Sequence, residues 1–147
     1  MSNVKNTIGF VLRQISTEQF ALNEEQFSET GKKQISVNLH FGVDHKHKAI
    51  SVFSKFILTS DSKIFIIIEA GCHFEIRKNA WSGMLDTQTN VVKVSKGFMQ
   101  HIAMLTVGTT RGILHAKTEG TCFNKYVLPA INVAELIKDD VEFEAGK

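Results

Sequence analysis

The chain has 147 residues, of which 43% are hydrophobic and 22% charged, a composition typical of globular proteins rather than of disordered or fibrous ones. Its 17 basic and 15 acidic side chains leave a formal charge of +2, which is too small to indicate a nucleic-acid partner. This length suits one domain, so we expect residues 1–147 to share a core that needs neither a disulfide nor a metal.

The sequence also argues against secretion and against a membrane-spanning segment. Residues 1–6 lack the apolar core of a signal peptide. The longest purely apolar run, residues 64–68, is far too short to span a bilayer. Two cysteines, Cys72 and Cys122, are too few for a disulfide framework or a zinc site. We therefore expect reduced thiols and a cytoplasmic protein.

The first third of the chain predicts two strands. Residues 8–22 alternate imperfectly between apolar and polar side chains, and a bulge near Gln14 would explain the slip. Residues 34–43 alternate cleanly, which predicts one apolar face for the second strand. That face consists of Ile35, Val37, Leu39, Phe41 and Val43.

Two further strands follow at residues 49–59 and 64–76, both rich in β-branched and aromatic side chains. Gly71 in the fourth strand predicts either a bulge or a close approach of another group. Because short turns separate the second, third and fourth strands, we expect the four strands to form an antiparallel meander.

The second half of the chain changes to a helical period. Residues 77–90 are mostly polar and link the sheet to a long amphipathic helix at 91–118, with Thr89 or Asn90 as its N-cap. Gly120 is placed to end this helix.

Glycines within this helix carry a separate signal. Gly97, Gly108 and Gly112 would each cost the helix about 1 kcal/mol relative to alanine. Their presence favours close helix packing, including packing between subunits.

An arm and a short helix complete the chain. Pro129 favours extended backbone just before it, so residues 123–128 are predicted to be an extended arm. Asn132 is placed to cap a short last helix that begins at Val133.

No catalytic or metal-binding pattern accompanies these elements. The sequence near His40, His45 and His47 does not offer the carboxylates or thiols of a common metal site, so we expect no metal. Cys72 and His73 are neighbours on a strand and point to opposite faces, which excludes a nucleophile and base pair. Phosphate loops, dinucleotide fingerprints and serine-nucleophile motifs are absent. We therefore expect no cofactor and no enzyme activity.

Two stretches of the sequence resemble the SecB family of protein-export chaperones. Residues 66–76 are similar to the family's fourth strand in Gly71, Phe74 and Ile76, although Cys72 stands where the family has a second glycine. The C-terminal stretch is similar in Gly120-Thr121, with one extra residue before the phenylalanine and the proline shifted by one place. The positions that fall in step there are Phe123, Leu128, Ile131, Asn132, Val133, Leu136 and Ile137.

The resemblance implies an α+β fold in which a long helix and a short C-terminal helix pack on one face of a four-stranded antiparallel sheet. It also implies a homotetramer, built as a dimer of dimers, that works in protein transport as a holdase. The partner would then be unfolded or non-native polypeptide, and some members of the family also dock a translocase motor ATPase through strong acidic charge, which this slightly basic chain lacks.

Two alternatives to a general holdase remain open from the sequence. The same fold can serve as an oligomeric scaffold for one dedicated partner, as in chaperones of toxin–antitoxin pairs. It can also enclose an apolar pocket that carries a small ligand.

A peptide groove of the SecB kind would lie between the end of the fourth strand, the linking segment and the arm. Aromatic and methionine side chains suit such a groove because they repack around different clients. Trp81 and Met84 are the strongest candidates because their surroundings in sequence are polar, and we expect both to be partly exposed. The full set of predicted groove residues is Phe74, Ile76, Trp81, Met84, Leu85, Phe123 and Tyr126.

Overall fold

The computed structural model describes residues 8–144, and within them it shows an α+β fold with a four-stranded and a three-stranded sheet. The strands of the large sheet are β1 (Phe10–Leu22), β2 (Lys33–Asp44), β3 (Ala49–Ser60) and β4 (Lys63–Ile76). Each pairs with its neighbours in antiparallel orientation, as the sequence predicted.

Side-chain alternation explains why the centre of this sheet forms. Burial alternates along the whole length of β3, because every second residue faces the core. The two-residue turn between β3 and β4 has positive φ at both Asp61 (50°) and Ser62 (67°), which is the type I′ geometry that suits the twist of a hairpin.

The order of the strands differs from a simple meander. It is β1-β4-β3-β2, so β1 pairs with β4 and not with β2. Residues 23–32 are long enough to cross the end of the sheet, and Asn23 N donates to Phe65 O (2.9 Å) on the way. The predicted meander was therefore wrong in the placement of β1. As a consequence, β1 and β2 form the two edges of the sheet.

Two predicted irregularities of the sheet are confirmed. The register of β1 against β4 shifts between Leu12 and Gln14, where the sequence pattern slipped. At Gly71 a Cβ atom would lie only 2.7 Å from the ring of Phe53 and 2.9 Å from Ser16 Oγ. Gly71 is therefore a close-approach position rather than a bulge.

The linking segment is more ordered than its polar sequence indicated. Residues 77–90 contain helix α1 (Lys78–Met84) and strand β5 (Leu85–Asp86). The following strand β6 (Val91–Val94) pairs with β5 on one side and with the C-terminal strand β7 (Val141–Glu144) on the other. These three strands form the small sheet.

The long helix α2 (Lys96–Thr118) begins later than predicted. Residues 91–94 are a strand because they pair with β5 and β7, with Val92 and Val94 fully buried and Lys93 exposed between them. Ser95 is the N-cap, since its Oγ accepts from the backbone N–H of Phe98, and the proposed caps Thr89 and Asn90 were wrong.

The predicted end of α2 and the cap of the last helix are both confirmed. Gly120 lies just beyond the helix with φ +80°, the left-handed conformation that glycine adopts without strain. The short helix α3 (Val133–Leu136) follows the arm, and Asn132 Oδ1 accepts from Ala134 N at 3.1 Å.

The core lies between α2 and one face of the large sheet, in two clusters. The first cluster surrounds Phe74, Met99 and Ile102, and the second surrounds Phe56 and Leu114. The other face of the large sheet carries no helix among residues 8–144. No helix in this range is both long and apolar enough to cross a membrane.

Candidate functional site

The predicted groove residues fall into two separate places in the structure. The first core cluster contains Phe74, Ile76, Trp81 and Met84, and Leu85 packs against it. Phe123 lies in the second cluster, with Tyr126 packed against that one. The chain therefore does not arrange all of these side chains along one open surface.

Trp81 and Met84 are buried, so the expectation that they are partly exposed was wrong. Only 4% of Trp81 and 9% of Met84 is exposed. The reason is that residues 78–84 form α1, and a three-residue spacing on a helix turns both side chains to the same side. The ring of His45 meets the indole edge-on, with centroids 5.7 Å apart. A role for these two residues in a peptide groove stays a prediction, and it would require the interior to open.

The apolar face of β2 is more accessible than the core. We call Ile35, Val37, Leu39, Phe41 and Val43 the β2 row. Their cross-strand partners on β3 include the fully buried Ile50, Val52 and Phe56, so the row lies on the helix side of the sheet. Four of its side chains are half-buried, and Ile35 is 42% exposed. The row remains accessible because β2 is an edge strand.

The extended arm predicted at residues 123–128 was wrong for its first part, because Cys122–Lys125 form a short 3-10 helix. We therefore call residues 126–132 the arm, and polar contacts hold it against α2. Arg111 donates from Nε to Leu128 O (2.7 Å) and from Nη2 to Pro129 O (3.0 Å). Just beyond α3, Gln100 Nε2 donates to Ile137 O (2.8 Å). These contacts satisfy backbone carbonyls that no sheet ladder pairs, so the arm keeps a fixed path without being a strand.

An aromatic cluster anchors the start of the arm. The rings of Phe27, Phe65, Phe123 and Tyr126 pack with centroids 5.0–6.0 Å apart. Such edge and tilted contacts stabilise the packing beyond the buried area alone. The arm is thereby attached to the segment that crosses from β1 to β2.

An exposed ion pair reinforces the same attachment. Lys125 Nζ donates to Glu29 Oε1, and this hydrogen bond lowers the pKa of Glu29 and raises the pKa of Lys125. Because both groups are exposed, solvent and salt screen the pair, and we assign it an orienting role rather than a large stabilisation.

The β2 row and the arm each reach both core clusters. Leu39 of the row and Ile131 of the arm each pack against both clusters. Two apolar side chains in this C-terminal part are exposed, Val127 on the arm and Leu136 on α3. An edge strand with half-buried apolar side chains can take an added extended segment through backbone pairing and apolar contact.

The histidines near the β2–β3 turn point to different neighbours. His47 Nδ1 pairs with Asp44 at 2.7 Å and lowers the pKa of that carboxyl, while His40 lies 3.6 Å from Glu69. His45 packs against Trp81. Over residues 8–144 we find no group of three or more histidine, cysteine or acidic side chains that could hold a metal ion.

Comparison with known proteins gives similarity at the level of solved structures. No protein-family model and no curated protein sequence matches the chain. Among solved structures, the chain is similar to the Mycobacterium tuberculosis SecB-like chaperone Rv1957, determined in complex with a ChAD peptide from the Rv1956 HigA1 antitoxin. The match covers 84% of this chain and 91% of that chain, at 10% identity and a TM-score of 0.46. At this identity and TM-score, the match concerns only the path of the two backbones and carries no argument about function.

Proposed function

We propose that this chain is a SecB-like chaperone that holds unfolded or non-native polypeptide. The observation that carries the proposal is the β2 row, a line of large apolar side chains left half-buried or exposed on an edge strand. The resemblance of residues 66–76 and of the C-terminal stretch to the SecB family is consistent with it.

The client would lie along β2 as an extended segment. Its backbone would pair with the outer edge of the strand, and its alternate side chains would contact the β2 row. Fully burying one large client side chain contributes about 1.5–3 kcal/mol. Much of this free energy offsets the conformational entropy that the client loses on binding, so we expect each segment to bind weakly. A client that engages several copies of the site at once would be held more tightly.

Several copies would follow from a homotetramer, which we propose as the assembly. The outward side of α2 carries Met104, 60% exposed, and Leu105, 41% exposed. Large exposed apolar side chains on one helix face are typical of an interface. On the same helix, a Cβ at Gly97 or Gly112 would meet nothing within 4 Å in the chain itself.

The other edge of the large sheet offers a second contact for a dimer of dimers. Leu12 and Ile15 of β1 are exposed, and β1 pairs with β4 on one side only within the described residues. An exposed apolar edge strand favours pairing with another chain. We propose that α2 and β1 supply the two kinds of contact that a dimer of dimers needs.

We also propose a non-catalytic, cytoplasmic role in protein transport, from the same resemblance. The net charge of +2 gives no acidic excess for docking a motor ATPase, so such a partner would need other contacts. A scaffold for one dedicated partner would use the same surface but would select one sequence.

The test compares two isoleucines of equal exposure. Ile35 lies in the β2 row and Ile64 lies at the start of β4, and each is 42% exposed. Ile35→Ser combined with Phe41→Ser should weaken binding of a fluorescent unfolded polypeptide at least about tenfold, because apolar contact is lost. Ile64→Ser should leave the affinity unchanged. Affinity is measured by anisotropy and normalised to the folded fraction.

Two results would count against the proposal. Equal weakening by Ile64→Ser would mean that the β2 row has no special part in binding. Binding of one client sequence only, among several unrelated unfolded polypeptides, would favour the dedicated-partner scaffold.

A further inference from the structure

A basic pocket lies at the end of the large sheet, where β1, β4 and the β2–β3 turn meet. Its volume is about 290 Å³. The charged side chains that line it are four cations and one carboxylate, namely Arg13, Lys48, Arg77, Lys78 and Glu75. None of them belongs to the β2 row, so the pocket is a different site from the proposed peptide surface.

Backbone contacts fix the main chain at two of the cationic residues. Lys48 has a positive φ of 53°, and its carbonyl accepts from Ile76 N at 2.8 Å. Arg77 N donates to Gly9 O at 2.9 Å. A Cβ on Gly9 would lie only 2.7 Å from Arg77 Cγ, so the stem of Arg77 rests against the start of the chain that leads into β1. The pocket is thus built on positions that the sheet holds.

The single carboxylate of the pocket, that of Glu75, accepts a hydrogen bond from only one of the cationic side chains. Glu75 Oε1 accepts from Arg13 Nε at 2.6 Å, and this contact is the main reason why the pKa of Glu75 is lowered, with smaller contributions from His47 and Lys48. Glu75 therefore stays ionised near neutral pH and leaves the two terminal nitrogens of Arg13 available.

The remaining cations have no directly paired carboxylate among residues 8–144. The charged side chains of Lys48, Arg77 and Lys78 form no ion pair and no hydrogen bond with any residue from 8 to 144. Four cations facing one carboxylate repel each other, and a bound anion would relieve this repulsion. Planar guanidinium groups beside ammonium groups suit an anion with several oxygens.

We propose that this pocket binds a phosphate group, either as inorganic phosphate or as the phosphate of a larger molecule. The guanidinium groups of Arg13 and Arg77 and the ammonium groups of Lys48 and Lys78 donate to its oxygens. Four cations and one carboxylate leave an excess of three positive charges, of which a phosphate dianion would offset two, and the small volume favours a compact anion over a folded acidic partner.

The experiment is a titration of the full chain with inorganic phosphate at constant ionic strength, in which binding is monitored by NMR chemical shifts. Lys48→Gln with Arg77→Gln should weaken saturable binding by at least about tenfold, since two charge-assisted contacts are lost. Lys46→Gln is the matched control, because Lys46 lies in the same turn, is exposed and does not line the pocket. It should leave the affinity unchanged. Lys78→Gln alone serves as a second variant if the double variant unfolds.

Further titrations distinguish the source of the phosphate. Sedimentation with phosphatidic-acid vesicles that depends on Lys48 and Arg77 would identify a lipid headgroup, and binding of free phosphate alone would identify a soluble ligand. The proposal is overturned if phosphate gives no saturable response or if Lys46→Gln weakens binding equally. It is also overturned if a short polyglutamate peptide binds more tightly than phosphate with the same dependence on Lys48 and Arg77.

Discussion

Replacing Trp81 by alanine should lower the free energy of unfolding by about 3–5 kcal/mol. The indole is almost fully buried in the first core cluster, which also contains Phe74 and Met99, and the ring of His45 packs against it nearly at a right angle. Removal of the ring would leave a cavity, because the surrounding core relaxes only partly around a deleted side chain. The loss is measured by urea unfolding monitored by circular dichroism, since the variant lacks the tryptophan signal.

Trp81→Phe is the control for this prediction. It keeps most of the apolar volume and should cost clearly less than the alanine variant. A loss below about 1 kcal/mol for Trp81→Ala would be typical of a surface position. That result would contradict the buried placement and would return Trp81 to the exposed groove that its polar neighbours in sequence indicated.

The second prediction is that Gly112→Ala has opposite effects on the folded chain and on its assembly. Alanine should stabilise α2 by up to about 1 kcal/mol, because the helix loses less freedom and a Cβ meets nothing within 4 Å. If α2 packs closely against another copy, the same Cβ would hold the helices apart and weaken self-association at least about tenfold. Unfolding is measured where the chain is monomeric, and association by sedimentation equilibrium.

Gly83→Ala is the matched control for assembly. Gly83 lies in α1, and a Cβ there also meets nothing within 4 Å. Its replacement should stabilise the chain without changing the association constant. Equal association of both variants and the parent chain would exclude Gly112 from an interface, and a monomer at all micromolar concentrations would contradict the proposed tetramer.

Local sequence patterns predicted the four strands of the large sheet well, because each strand pattern depends on near neighbours. The alternation from Ile35 to Val43 predicted β2 within one residue at each end, and the pattern slip near Gln14 predicted the first register shift of β1. Gly120 and Asn132 were predicted correctly for the same reason, since caps depend on the few residues beside them.

The order of the strands depends on distant residues and was not predicted. Whether β1 pairs with β2 or with β4 is decided by the path of residues 23–32, and this path depends on contacts such as Asn23 N to Phe65 O. The accessible β2 row follows from that order. The sequence pattern identified its side chains, but only the sheet edge makes them accessible.

Trp81 and Met84 show a second limit of local pattern. A polar segment with few apolar residues predicts a loop, yet two apolar residues three positions apart are enough for one turn of helix to bury both. Val91, Val92 and Val94 fit both a helical period and an alternating strand, and pairing with β5 and β7 decides for the strand. In both cases tertiary contacts outweigh local preference.

Suppression of aggregation tests the central proposal most directly. An unrelated protein is diluted from denaturant in the presence of this chain, and its light scattering is followed as the amount of the chain is raised. We expect scattering to be suppressed near stoichiometric amounts, with the Ile35→Ser, Phe41→Ser variant ineffective and Ile64→Ser fully active. Undiminished scattering at several-fold excess of a correctly folded chain would contradict the proposal that it holds non-native polypeptide.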